Sequence, residues 1–324
     1  MQADVFDMAA RSVQARQRIR DFIYETPLIP SRAIGLESDS AVFFKAENLQ
    51  LTGSFKIRGG ASKMTSLPRD QGVITASSGN HGIGAARAAQ AIGQSLTVVL
   101  PETVTPAKLD LIRSFEAEII LYGAETGQAE RHARALAAQR GLVYVSPYND
   151  EEIVAGQGTI ALELIKQVQP LDTVFIAMGG GGLISGIGSV LKHFSPKTRV
   201  FGISAANSAA LAASMTAGRV VETEHLNTLA DAVSGGLEEG SITLGLAMAV
   251  IDEVITCSEE EIATAMHDLL FKEHLLVEGA AALALAGFRR VAGRHGGQNN
   301  VILLCGGNVD AGSAIAAMTK RDHR

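Results

Sequence analysis

The residues Leu51-Thr52-Gly53-Ser54-Phe55-Lys56-Ile57-Arg58-Gly59-Gly60 decide how this chain is read. Lys56 stands between an aromatic and a β-branched residue, with the small residues Gly53, Ser54, Gly59, Gly60 and Ala61 close by. Such neighbours suit a lysine that points into a crowded pocket rather than into water. Burial disfavours the charged ammonium, lowers its pKa and leaves an amine able to attack a carbonyl. Phe55 could then cover one face of a planar ring. A plainer reading makes the stretch a helix N-terminus, with Ser54 as its cap and Lys56 on the exposed side. The ten residues alone leave both readings open.

Outward from this stretch, short apolar runs alternate with helical patterns. Residues 9–23 and 41–45 precede it as a helix and a strand. After it come strands at 72–76, 96–100, 119–122 and 142–145, with helices at 82–92, 106–115 and 128–140 between them. A second series follows: a helix at 151–168, a strand at 173–178 apolar throughout, a helix at 183–194 and a strand at 200–203. Ser258-Glu259-Glu260-Glu261 forms a capping box that opens a further helix. A helix at 278–291 and a strand at 301–304 complete the pattern. This alternation predicts an α/β protein of two open parallel sheets covered by helices, with a ligand site in the cleft between them.

Bulk properties narrow the partners. The 324 residues are 47% hydrophobic, include 34 glycines and no tryptophan, and carry a formal charge of −6. Few aromatics and no long basic run argue against nucleic acid and anionic membranes. No apolar run approaches the roughly 20 residues of a membrane helix. Asp4 and Asp7 stand where a secretory signal would be basic, and Cys257 and Cys305 form neither a disulfide framework nor a zinc pattern. A cytoplasmic enzyme for a small substrate is expected. His132, His193, His225, His267, His274, His295 and His323 show no ligand pairing, so no metal site is expected.

Three glycine-rich turns each follow a strand. Ser77-Ser78-Gly79-Asn80-His81-Gly82 offers hydroxyls, an amide and backbone N–H groups at a helix start, a cradle for a carboxylate. His81 also suits a plain role capping that helix. Gly179-Gly180-Gly181-Gly182-Leu183 lets the backbone approach an anion closely while the next helix points its positive end at it. A sharp strand-to-helix turn would need only one or two of those glycines. Cys305-Gly306-Gly307-Asn308 places a thiol at the end of the last strand, where it would also pass as a small buried hydrophobe. Gly156-Gln157-Gly158-Thr159-Ile160-Ala161 matches GxGxxA, but no strand precedes it, which discounts a dinucleotide. A buried amine, a small phosphate cradle and a ring-covering Phe together describe pyridoxal phosphate.

The Phe55-Lys56 stretch, Ser77 to Gly82, the tetraglycine turn and Gly306-Gly307-Asn308 resemble, in order and spacing through almost the whole chain, the fold-type II pyridoxal phosphate enzymes, and most nearly the threonine/serine dehydratases and serine racemases. The resemblance implies that Lys56 forms the internal aldimine and moves the α-proton. Phe55 would pack on the ring, Asn80 would bond the ring hydroxyl, Gly179, Gly180, Gly181, Gly182 and Leu183 would hold the phosphate, and Cys305 would face the pyridine nitrogen. Ser77, Ser78, Asn80 and His81 would bind the substrate carboxylate, with Ser78 as the acid/base on the face opposite Lys56 in racemizing relatives. It further implies a large cofactor domain (1–66 and 150–324), a small mobile domain (67–149), and a homodimer or homotetramer.

The chain departs from the family in two places. Ser204 and Ala210 stand where cation-binding relatives carry carboxylates, so no cation is expected. Ala230-Asp231-Ala232 replaces the Ala-Asp-Gly of many dehydratases, which puts backbone contacts near the ring in doubt. Past Asp310 no regulatory domain is expected. The leading expectation is a dehydratase (ammonia-lyase): α,β-elimination of water from threonine or serine, giving a 2-oxo acid and ammonia. The alternatives are a serine or aspartate racemase, a dehydratase of hydroxyectoine breakdown acting on a larger hydroxy amino acid, and a non-enzymatic phosphate-ligand sensor.

Overall fold

The computed structural model describes residues 4–36, 39–309, 311–312 and 314–315; Asp310 and His323 lie outside them. In chain order the first elements are α1 (Val5–Ile19), β1 (Leu28–Pro30), β2 (Ala41–Ala46), α2 (Lys56–Thr65), β3 (Val73–Ala76), α3 (Asn80–Ile92), β4 (Leu96–Leu100), α4 (Pro106–Arg113), β5 (Glu118–Leu121), α5 (Thr126–Arg140) and β6 (Val143–Tyr144). There follow α6 (Glu151–Gln167), β7 (Thr173–Ala177), α7 (Gly182–Phe194), β8 (Arg199–Ala205), α8 (Ala210–Ala217), α9 (Ile242–Val250), β9 (Glu253–Cys257), α10 (Glu259–Phe271), α11 (Gly279–Val291) and β10 (Asn299–Leu304).

Among the described residues these strands make two sheets, ordered β1-β2-β10-β7-β8-β9 and β5-β4-β3-β6. Both sheets are parallel except at one edge, where Leu28–Pro30 runs antiparallel to β2 with Leu28 opposite Lys45. That edge departs from the all-parallel expectation. No crossover helix separates β1 from β2, and without one the chain can return only antiparallel. Pro30 sits on this edge, where its missing N–H costs no ladder bond.

Helix α1 begins earlier than its apolar spacing predicts, because Asp4 Oδ1 accepts from Phe6 N at 2.9 Å and caps it. The capping box at Ser258 and Glu261 is present, with both reciprocal bonds. Elements α8, α9 and β9 carry no periodic signal in sequence. Helix α8 is a run of small residues, α9 is apolar on every side, and β9 is partly exposed along its length.

The larger core gathers the strands β7, β8 and β10 against α7 and α11, with Phe175 stacked on Phe201 at 4.5 Å between ring centroids. Helix α2 contributes to the second core instead, where Ile57, Ala61 and Met64 pack with Ile83, Val98 and Ile153. Glycines let α2 sit unusually close to its neighbours. A Cβ on Gly84 of α3 would lie 2.8 Å from Ile57 N, and one on Gly156 of α6 would lie 2.5 Å from the Arg58 carbonyl oxygen. The GxGxxA match at 156–161 lies within α6 and is explained by this packing, since a Cβ on Gly158 would meet Ser12 Oγ at 2.2 Å.

Beneath α2 lies a buried ionic cluster. Arg58 donates to both oxygens of Glu47 at 2.8 Å and to Glu163 at 2.6 and 3.0 Å, while Lys45 Nζ reaches Glu163 at 2.5 Å. All four side chains are buried, two cations against two carboxylates. The cluster ties the helix that begins at Lys56 to β2 and α6.

Candidate active site

Parallel strands deliver their connecting turns to one end of a sheet, and here the turns after β3, β7 and β10 open on a single cleft. It encloses about 530 Å³ and is lined by every residue singled out from the sequence: Phe55, Lys56, Ser77, Ser78, Asn80, His81, Gly179, Gly180, Gly181, Gly182, Leu183 and Cys305. Helices α2, α3, α7 and α11 all begin at its wall, so the positive ends of four helices converge on it.

Of the plainer reading of its stretch, Lys56 keeps only the helix start. It is the first residue of α2, with Phe55 as the N-cap, yet its amine faces the cleft and donates to the Pro147 carbonyl oxygen at 2.8 Å. Ser54 does not cap the helix; its hydroxyl is buried without a hydrogen-bond partner. Burial pushes the Lys56 amine down to about 8, against the opposing pull of Cys305 and Glu278.

No side chain caps α7, which leaves its first-turn N–H groups to a ligand. Gly181 adopts φ +86°, and Tyr148 lies so close to Gly180 that a Cβ there would meet its ring at 2.5 Å. The glycines therefore serve a tight turn and a close ring contact together. Tyr148 is fixed from behind by Glu238, whose N–H donates to the phenol oxygen at 2.8 Å.

His81 lines the cleft and also braces the turn from behind. Its Nε2 is 3.0 Å from both Thr75 Oγ1 and the Val145 carbonyl oxygen. Burial and the nearby Lys56 push its pKa down to about 3, so it stays neutral. Cys305 is buried, its thiol raised well above the ordinary value chiefly by burial, and it remains a neutral thiol.

Glu278 was not legible as a site residue. It immediately precedes an alanine-rich helix and reads as an ordinary acid at a helix start. In the fold its buried carboxylate accepts from Asn80 Nδ2 at 3.0 and 2.9 Å, and Cys305 Sγ lies 4.0 Å away. Tyr148, Lys108 and Thr126 also line the cleft without a motif to announce them, and Asp231 and Ala232 line it from the stretch that departs from Ala-Asp-Gly. No group of three or more His, Cys, Asp or Glu suited to a metal ion occurs among the described residues. No described helix is long and apolar enough to cross a membrane.

Comparison with known proteins agrees with this geometry. The family model for pyridoxal-phosphate dependent enzymes matches residues 19–306. An L-threonine ammonia-lyase of Geobacter sulfurreducens is 38% identical over 313 residues, covering 95% of this chain and 77% of that protein. Threonine deaminase isoform 2 of Solanum lycopersicum superposes with a TM-score of 0.91 at 29% identity, over 97% of this chain and 93% of that one. Maize serine racemase does so with a TM-score of 0.89, also at 29% identity, over 98% and 97%. With residues 19–306 matching that family model, the chain belongs to the pyridoxal-phosphate dependent enzymes.

Proposed function

We propose that this protein is a pyridoxal phosphate-dependent ammonia-lyase that removes water from threonine or serine, leaving a 2-oxo acid and ammonia. The observation that carries this reading is the meeting of a desolvated Lys56 amine and an uncapped glycine-rich helix start in one cleft. The cleft suits the cofactor. The N–H groups of Gly179 to Leu183 and the α7 dipole match a phosphate, Phe55 offers a ring face, and the Lys56 amine matches an aldehyde. When bound, pyridoxal phosphate supplies an electron sink for the pair left behind by the α-proton.

The chain's own groups do the rest. Lys56 Nζ takes the α-proton of the substrate; the β C–O bond breaks and the hydroxyl leaves with a second proton as water. The enamine released tautomerises to an imine that water hydrolyses to 2-oxo acid and ammonia, so the net loss is ammonia. Ser77, Ser78 and Asn80 receive the substrate carboxylate at the start of α3, where the dipole favours an anion. Asn80 would also bond the cofactor's ring hydroxyl. Cys305 would meet the pyridine nitrogen as a neutral thiol, which could not hold that nitrogen charged as a carboxylate would; the milder sink would suit elimination over transamination. Residues 67–149 move as a small domain against 1–66 and 150–324, a division supported by a second sheet drawn wholly from β3 to β6. The protein's cysteine usage and hydropathy support a place in the cytoplasm, and on the family resemblance it works as a homodimer or homotetramer.

The experiment is a panel of β-hydroxy amino acids scored for 2-oxo acid and ammonia, with D-serine measured beside them. Release from L-threonine or L-serine is expected to exceed the interconversion of L- and D-serine. Racemization faster than any release would overturn the lyase reading in favour of a racemase using Ser78. Turnover confined to a larger hydroxy amino acid would overturn the substrate assignment alone.

A further inference from the structure

The amide of Asn80 can point either way in principle, and the cleft needs it to point one way. Its orientation is settled by two side chains, Asn308 and Glu278. At one end the Thr52 carbonyl oxygen, which can only accept, takes a hydrogen bond from Asn308 Nδ2 at 2.8 Å. The same Asn308 nitrogen donates to Asn80 Oδ1 at 2.7 Å. At the other end both oxygens of Glu278 accept from Asn80 Nδ2. Glu278 is in turn held by its own N–H to the Gly306 carbonyl oxygen at 3.2 Å, and a Cβ on Gly306 would lie 2.5 Å from its carboxylate. The chain of bonds therefore runs from backbone, through two amides, to a buried carboxylate.

We infer that Glu278 is a positioning residue, which fixes Asn80 with its N–H end held in the cleft and so sets how tightly the protein holds pyridoxal phosphate. This rests on the cofactor reading above. A buried carboxylate is costly to keep, and among the described residues no cation is bonded to this one. The groups that face it are Asn80 from α3, Lys56 from α2, Asp231 from the loop before α9, and Cys305 and Asn308 after β10. Burial raises its pKa to about 7, with Asp231 pushing the same way and Asn80, Asn308 and Lys56 opposing. Glutamine in its place keeps the shape and one acceptor but brings an amide N–H toward that of Asn80.

The test is a double-mutant cycle read as cofactor affinity, not turnover. Protein stripped of cofactor is dialysed to equilibrium against pyridoxal phosphate as wild type, Glu278→Gln, Asn80→Ala and the double variant. Because the chain lacks tryptophan, bound cofactor is counted by its own absorbance. If Glu278 acts through Asn80, Glu278→Gln weakens binding roughly tenfold in the wild-type background, the scale of a charge-assisted hydrogen bond. In the Asn80→Ala background it should weaken binding less than about twofold. Equal losses in both backgrounds would overturn the inference, as would unchanged affinity in Glu278→Gln. Glu278→Asp, which keeps the charge one methylene short, should fall between Gln and wild type; binding no better than Gln's would also overturn it. Wild type that binds no pyridoxal phosphate would overturn the cofactor reading itself, a failure distinct from one of coupling.

Discussion

Lys56 begins a helix inside the protein, and the displacement of its amine to about 8 can be turned into a rate. An ordinary lysine near 10.5 is neutral to only roughly one part in a thousand at about pH 7.5, whereas an amine at about 8 is neutral to roughly a quarter. Only the neutral amine attacks an aldehyde. The perturbation is pH, applied to cofactor-free protein mixed with pyridoxal phosphate. The initial rate of imine formation is trapped with borohydride and divided by the rate for a free alkylamine, which cancels the aldehyde's own titrations. Below about pH 8 both amines gain tenfold per unit and the ratio is flat. Between about 8 and 10.5 Lys56 has nothing more to gain, so the ratio falls about 300-fold. A ratio constant up to about pH 10 would refute the claim that burial has lowered this amine.

Other consequences are smaller and as definite. Arg58→Met leaves Glu47 buried without its paired guanidinium and Glu163 with only Lys45 and, at 3.6 Å, Arg16, and should cost about 3–5 kcal/mol in urea unfolding; a loss under about 1 kcal/mol would show the cluster to be solvated. His81, with its pKa lowered to about 3, adds stability that is full above its unfolded value near 6.5 and fades as pH falls. Glu278, raised to about 7, adds stability that is full below its unfolded value near 4.5 and is lost as pH rises through about 7. The two slopes oppose between about 4.5 and 6.5, so in cofactor-free Glu278→Gln stability should rise with pH by about 1.4 kcal/mol per unit more than in wild type. A parallel pH profile in the two proteins would contradict this. Ser204 and Ala210 supply no carboxylate for a cation, so thorough chelation should leave turnover nearly unchanged; a large loss restored by magnesium or calcium would show another ligand set.

The alternating strands and helices were legible because, apart from the β1 edge, both sheets are parallel, and parallel strands buried between helices read as plain apolar runs. The cleft was legible because strand ends, glycines and Lys56 fall at fixed places in that alternation. Residues 206–257 were not, since α8 and α9 have no polar face to set a period. Lys45, Glu47, Arg58 and Glu163 gave no sign of one another, being gathered from β2, the turn after it, α2 and α6. Glu278 was invisible for a related reason. A carboxylate before a helix is common, and only the fold shows that this one is buried against Asn80. Ser54 was readable as a cap until Phe55 proved to hold that position.

The most direct measurement reduces the protein as purified with borohydride, digests it and identifies the modified peptide. The yellow protein should lose its colour, and the pyridoxyl group should sit on the peptide containing Lys56 alone. Modification of any other lysine, or none in a protein that still releases 2-oxo acid, would contradict the assignment on which the cleft's chemistry depends.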